Sequence, residues 1–352
     1  MPITMEIYDS TLRDGAQSEG ISFSVTDKIK IVKALDGMGI PFIEAGNPGS
    51  NPKDLEFFEA IKGMKLKNSK IVAFGSTRRK NIKVEDDANV QSLLKAGTDH
   101  VALFGKSWDF HVTDIINATL EENLNMIEDT IRFFIQQGKE VTFDAEHFYD
   151  GYKANKNYAM LSLASAVKGG AKRLVLCDTN GGSLPSEIYT MTKNVFETFP
   201  NVIIGIHAHN DSGMAVANSI MAVEAGAIQI QGTYVGFGER CGNANLSTII
   251  ANLELKMGKQ CLPEGELENL TAMAKKVSEI ANILQDEQMP FVGKKSFTHK
   301  GGMHIDGVNK NSKSFEHIEP ESVGNTRRFL MSEVAGRSSI LKKIQKVAPT
   351  IT

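Results

Sequence analysis

The sequence predicts a (β/α)₈ TIM barrel followed by a C-terminal helical arm and lid-like subdomain. Eight short apolar segments alternate with amphipathic ones as far as about residue 258. Reactive side chains collect where those segments end. The first segment also lacks the glycine fingerprint of an open, doubly wound sheet and runs instead into Leu12-Arg13-Asp14-Gly15, which carries charge. Repeated βα units imply parallel strands, because a parallel return needs a crossover, and eight such units close into a barrel.

The strands expected are Glu6–Thr11, Phe42–Ala45, Lys70–Gly75, His100–Phe104, Glu140–Ala145, Arg173–Cys177, Val202–His209 and Ala227–Tyr234. Between them, Thr26–Met38, Glu121–Gln137, Tyr158–Lys168, Gly213–Glu224 and Asn245–Lys256 carry helical spacing. Past Gly258 the alternation stops. Glu264–Asp286 reads as one helix, with Leu267, Leu270, Val277, Ile280 and Leu284 near one face, and Met289-Pro290 ends it. Lys294–Asn311, rich in Gly, His and Lys, is expected to be a mobile segment able to cover a site, and Arg337–Val347 resumes an amphipathic helix. The division expected is a catalytic barrel over 1–258 and a helical linker and lid subdomain over 259–352.

A barrel needs roughly 250 residues, so a chain of 352 leaves room for one barrel and an appendage. Hydrophobic content of 41% and charged content of 23% are ordinary for a globular protein. A formal net charge of −3 gives no electrostatic case for nucleic acid or an anionic membrane surface. No apolar run is long enough to span a bilayer, and Met1–Ser10 lacks the blocks of a signal peptide. Cys177, Cys241 and Cys261 make no paired spacing, so neither a disulfide framework nor a cysteine zinc site is expected. The setting expected is cytosolic.

His207-Ala208-His209 carries the strongest chemical signal. Residues two apart on a strand point the same way, so both imidazoles can meet one ion above the barrel. Two strand-end histidines bonded to neighbours are the plain alternative; the company they keep decides against it. Asp14 follows the first strand and Asn243 the eighth, and in a closed barrel the first, seventh and eighth strands are neighbours. Two imidazoles, a carboxylate and an amide oxygen suit Mn²⁺, with Mg²⁺ or Zn²⁺ as alternatives. The glycines around Asn243 allow close backbone approach. Thr77-Arg78-Arg79-Lys80 reads as a solvated basic turn, and Trp108 and Phe110 as packing rather than a substrate wall.

Asp9-Ser10-Thr11-Leu12-Arg13-Asp14-Gly15-Ala16-Gln17, His207-Ala208-His209-Asn210-Asp211 and Gly238–Asn245 resemble, in order, the signatures of the superfamily of 2-isopropylmalate synthase, homocitrate synthase and HMG-CoA lyase. Glu44–Asp54, Phe104–Asp109 and Val323–Phe329 look most like its citramalate synthase branch. The resemblance implies a divalent-metal enzyme that joins the acetyl group of acetyl-CoA to a 2-oxo acid, pyruvate in that branch, within branched-chain amino-acid (isoleucine) biosynthesis. It implies that Asp14, His207 and His209 bind the metal, with Asn243 as a fourth ligand. Arg13 would contact the ketone oxygen, Thr179 the carboxylate, and Glu146 and His304 would serve as acid and base. It further implies a homodimer in which the arm exchanges, and a regulatory C-terminal domain that a chain ending at Thr352 is expected to lack. One departure stands out: Phe315 occupies the place where many family synthases have a tyrosine.

Overall fold

A computed structural model describes residues 4–330 and Ile344. Eight parallel strands form a closed barrel in chain order: β1 (Glu6–Asp9), β2 (Phe42–Gly46), β3 (Lys70–Ser76), β4 (His100–Lys106), β5 (Glu140–Glu146), β6 (Arg173–Asp178), β7 (Ile203–Ala208) and β8 (Gln229–Gly232). Closure comes from β1 pairing with both β2 and β8, with Tyr8 opposite Phe42 on one side and Gln231 on the other. The fold class read from the sequence is therefore the observed one, though β7 and β8 are shorter than expected. Their far ends leave the barrel ladder to make bridges of another kind: His209 pairs antiparallel with Asn243, and Thr233 pairs with Asn245.

The helices that return the chain are α1 (Val25–Gly37), α2 (Pro52–Ala60), α3 (Ala88–Lys95), α4 (Leu120–Gln136), α5 (Phe148–Ala154), α6 (Lys156–Gly169), α7 (Pro185–Thr198), α8 (Ala215–Glu224) and α9 (Leu246–Met257). Local chemistry fixes where they start. Ser24 and Asp27 cap α1 reciprocally, each side chain accepting from the other's backbone N–H at 3.1 and 3.2 Å, an arrangement worth about 1 kcal/mol. The outer faces of the strands, such as Ile43, Leu103, Phe143, Leu174, Ile206 and Ile230, pack against these helices in one continuous core.

The single helix expected over Glu264–Asp286 is not formed. A 3₁₀ turn at Glu266–Asn269 leads into α10 (Leu270–Ile280), which stops there. Asn282 adopts a left-handed φ of 54°. Its N–H reaches Glu279 O while that of Ile283 reaches back to Ser278 O, which closes the helix from behind. Leu284, counted toward the apolar stripe, is 95% exposed. Met273, Ala274 and Val277 of α10 join the same core as the barrel helices, so packing continues past the point where the alternation ends. Within Lys294–Asn311 lie β9 (Thr298–His299), paired with β10 (Arg328–Phe329), and α11 (Gly302–Lys310). The helix expected over Arg337–Val347 lies outside the described residues apart from Ile344. No helix among the described residues is long and apolar enough to cross a membrane.

Candidate active site

A cavity of about 220 Å³ opens at the carboxyl ends of the strands, the face where barrels of this kind place their chemistry. Arg13, Asp14, Glu146, Thr179, His207 and His209 line it, which brings together six of the eight expected site residues. Asn243 sits beside His209 through their bridge. His304 does not line it: it is exposed on α11 and stacks on Phe315 with ring centroids 4.1 Å apart.

The turn after β1 puts two residues into this cavity at once. Ser10 O accepts from the N–H groups of Arg13, Asp14 and Gly15, which curls the chain over the end of the barrel. Asp14, His207 and His209 bring their ligand atoms within 4.8 Å of one another, all buried. His207 Nε2 lies 3.2 Å from Asp14 Oδ2 and 3.4 Å from His209 Nε2. Burial alone would push the Asp14 carboxyl up, but Arg13 and the two imidazoles outweigh it and hold it well below the usual carboxylate range. Burial and the neighbouring His207 lower His209 to about 4, so its ring is neutral near pH 7.

The donor set fits a divalent ion. Asp14 Oδ2 and Asn243 Oδ1 are buried without a hydrogen-bond partner, an expensive condition unless something else satisfies them, and His209 turns Nε2 toward Asp14 and His207. Asn243 Nδ2 donates to Phe237 O at 3.1 Å, so the oxygen is the end left over. Gly238 leaves room for this amide, since a Cβ there would fall 2.1 Å from Asn243 Nδ2. Carboxylate, imidazole and amide oxygen are ligands for Mn²⁺, Mg²⁺ or Zn²⁺.

Arg13 is held from behind. Its Nε donates to Glu44 Oε2 at 2.6 Å, Glu44 also accepts from Tyr8 and Ser10, and Phe74 lies 3.7 Å under the guanidinium. The ion pair with Glu44 thus serves as the mount of Arg13. Thr179 Oγ1 accepts from the His147 N–H at 2.9 Å, which leaves the hydroxyl hydrogen for another acceptor. Glu146 is paired with Lys106. Asp178 keeps to structure, accepting from Ser183 N and Oγ in the turn after β6.

Several lining residues lie outside the expected site set. Asp144 stands two before Glu146 on β5 and shares its face, by the same period of two that aligns the histidines. Burial and Glu44 raise its carboxyl to about 7. Arg240 has no such signal; its loop geometry carries it in, where it grips Asp211 at 2.7 and 3.0 Å and Thr179 O at 2.8 Å. The apolar wall is Phe74 stacked on Phe104 at 5.2 Å, whereas Trp108 and Phe110 pack on each other and on His111. The solvated basic turn expected at Thr77–Lys80 is corrected at Arg78, which is buried because Glu122 and Asp129 neutralise it at 2.7 and 2.9 Å.

Residues 4–277 match the HMGL-like family, and residues 291–352 the homocitrate synthase post-HMGL domain-like family. Among curated proteins the chain is similar to the (R)-citramalate synthase of Aquifex aeolicus, with 56% identity over 97% of this chain and 64% of that one. It is 51% identical to the (R)-citramalate synthase of Synechocystis sp., over 96% of this chain and 63% of that one. A probable 2-isopropylmalate synthase of Methanopyrus kandleri is 34% identical over 100% of this chain and 68% of that one. The chain thus spans less than two thirds of the two citramalate synthases. Among solved structures it is similar to the HMG-CoA lyase from Brucella melitensis, TM-score 0.64 at 20% identity, covering 79% of this chain and 99% of that one. The hydroxymethylglutaryl-CoA lyase from Pseudomonas aeruginosa gives 0.66 at 19%, covering 81% and 95%. At such identities the likeness speaks for the fold alone.

Proposed function

The chain belongs to the HMGL-like family, and on that footing we propose that it condenses acetyl-CoA with pyruvate and water to give (R)-citramalate and free CoA. The observation that carries this reading is the cluster of Asp14, His207 and His209 in a small cavity that also holds Arg13 and Thr179. Two relatives bearing the name (R)-citramalate synthase, at 56% and 51% identity, support the choice of 2-oxo acid. The cavity wall of stacked Phe74 and Phe104 offers an apolar surface to the alkyl group of a 2-oxo acid.

Asp14, His207 and His209, with Asn243, would hold a divalent ion, which when bound supplies Lewis-acid polarisation of the 2-oxo acid. Arg13, fixed by Glu44, presents a cation to the ketone oxygen as it gains negative charge, and needs no reorganisation to do so. It cannot be the base, because a guanidinium keeps its proton. The free hydrogen of Thr179 Oγ1 is available to the substrate carboxylate. Glu146 and His304 are the acid/base pair of the proposal. The base takes a proton from the thioester methyl, that carbon bonds to the ketone carbon, and the ketone oxygen gains a proton. Water then cleaves the thioester, leaving a carboxylate and the CoA thiol. His304 is exposed in a single chain, so its part requires a homodimer in which the arm reaches over the partner's cavity.

The test is free-thiol release with pyruvate, 2-oxobutyrate, 2-oxoisovalerate and 2-oxoglutarate. One extra methylene against a fitted apolar wall costs about 1–3 kcal/mol, so pyruvate should lead by roughly tenfold or more. A lead for 2-oxoisovalerate would move the assignment to 2-isopropylmalate synthesis. Acetoacetate release from HMG-CoA would instead mark a lyase.

A further inference from the structure

Below the metal ligands, the barrel interior contains a column of hydrogen bonds that the chemistry above does not use. At its foot Arg173 donates from Nε and Nη2 to Glu6 at 2.5 and 2.9 Å. Gln229 Nε2 donates to Glu6 Oε2 at 3.3 Å. Gln231 Nε2 donates to Asp144 Oδ1 at 3.1 Å and lies 3.5 Å from Gln229 Oε1. Gln231 Oε1 then faces His207 Nδ1 at 3.1 Å. Both glutamines are fully buried.

A carboxamide has a donor end and an acceptor end, and its partners decide which way it lies. Here they leave one choice. Glu6, ion-paired with Arg173, can only accept, so Gln229 gives it the NH₂ group and turns its oxygen toward Gln231. Asp144 Oδ1 is an acceptor whether or not Oδ2 carries a proton. Gln231 therefore directs its NH₂ group at Asp144 and Gln229, and its oxygen at His207. An amide oxygen cannot donate. His207 must carry hydrogen on Nδ1, which makes Nε2, the atom facing Asp14 and His209, the nitrogen able to offer a lone pair.

We propose that Gln231 is a positioning residue that fixes which nitrogen of His207 binds the divalent ion, its own amide oriented by Asp144 and by the Gln229–Glu6–Arg173 chain. The inference rests on the metal-site reading above and adds to it the residues that set the ligand's tautomer. Partners of this kind are worth about 10–100-fold in metal affinity.

The experiment uses the full chain with ¹⁵N-labelled histidine, titrated with Mn²⁺ for affinity and loaded with Zn²⁺ for NMR. Gln231→Met keeps the length and removes the acceptor; Gln231→Glu restores one. Far-UV circular dichroism and thermal melts check that both fold. In the wild type His207 should carry its proton on Nδ1, as a slowly exchanging N–H, with Nε2 on zinc. Q231M should weaken Mn²⁺ binding about 10–100-fold and expose that N–H to fast exchange, while Q231E should recover most of both. Wild-type affinity with a protected N–H in Q231M would overturn the proposal. Zinc on His207 Nδ1 in the wild type would overturn it too, even if Q231M does not fold. If the wild type binds neither ion, the metal reading itself is lost, which the first titration reveals before any variant is made.

Discussion

Two polar clusters lie inside the same barrel, one at each end, and they are finished differently. At the floor, Arg173 commits Nε, Nη1 and Nη2 to Glu6 and Glu140, and Glu140 also takes Lys172 at 2.8 Å. At the mouth, Asp14, His209 and Asn243 each keep a buried atom with no hydrogen-bond partner. Such an atom costs about 1–3 kcal/mol, and all three belong to the metal cluster or to the residue bridged to it. The other such atoms among the described residues, on His111, Asn123, Asn218 and Ser278, are scattered over separate elements. Buried polarity is thus no sign of function by itself, since both ends have it. Incomplete valence is what separates the site from the scaffold.

The sharpest way to break this comparison is to exchange consequences between the two ends. Asp14→Asn should lower CoA release by about 10³-fold, because it removes charge at the point where the proposed reaction needs it. Its cost to folding in the metal-free chain should be smaller than that of losing Arg173, since Asp14 keeps one oxygen without a hydrogen-bond partner while its charge pairs with Arg13 only at 3.6 Å. Thiol release and thermal melts measure the two together. A large loss of stability with turnover intact would make the mouth a structural cluster after all.

Arg173→Met is the reciprocal change. Arg173 is 2% exposed, and removing it takes the guanidinium from both Glu6 and Glu140, leaving Glu6 only Gln229 and Glu140 the exposed Lys172. Breaking one side of a buried ion pair costs about 3–5 kcal/mol, so the denaturant midpoint should fall markedly. Turnover of the protein that remains folded should drop far less than in D14N. If R173M melted like the wild type, the saturated floor would not be what holds the barrel's lower end.

The same contrast explains what could be read in advance. The barrel was legible because a period of two in strands and of 3.6 in helices is written into apolar spacing. His207 and His209 were legible because a period of two puts both on one face. Neither period reveals satisfaction. Nothing in the sequence distinguishes Gln231, which serves His207, from Gln229 beneath it, because their roles depend on partners from β1 and β5. Asn282 ends α10 through a left-handed turn that apolar spacing cannot register. Arg240 reaches Thr179 only by the path of the Gly236–Asn243 loop. Local patterns survive translation into sequence; pairings between distant strands do not.

The smallest effect is also the most discriminating, because the two ends should bend the pH profile of stability in opposite directions. At the floor, burial works against ionised Glu140, but Lys172 and Arg173 outweigh it and hold the carboxyl at about 2, below its ordinary 4.5. A depressed acid contributes stability above its unfolded value, and that contribution is lost as pH falls from 4.5 toward about 2. At the mouth, burial and Glu44 raise Asp144 from 3.8 to about 7. The folded chain then holds that proton more tightly than the unfolded one, so stability declines as pH rises from 3.8 to about 7 and is level beyond. Urea midpoints of the metal-free chain across this range should therefore show E140Q flattening the acid limb and D144N flattening the decline toward neutrality. Adding Mn²⁺ sharpens the distinction: a cation close to Asp144 favours its charged form and should shrink the second slope while leaving the first in place. If both variants shifted the profile the same way, the saturated floor and the open mouth would be one kind of cluster, and valence would not tell a site from a scaffold.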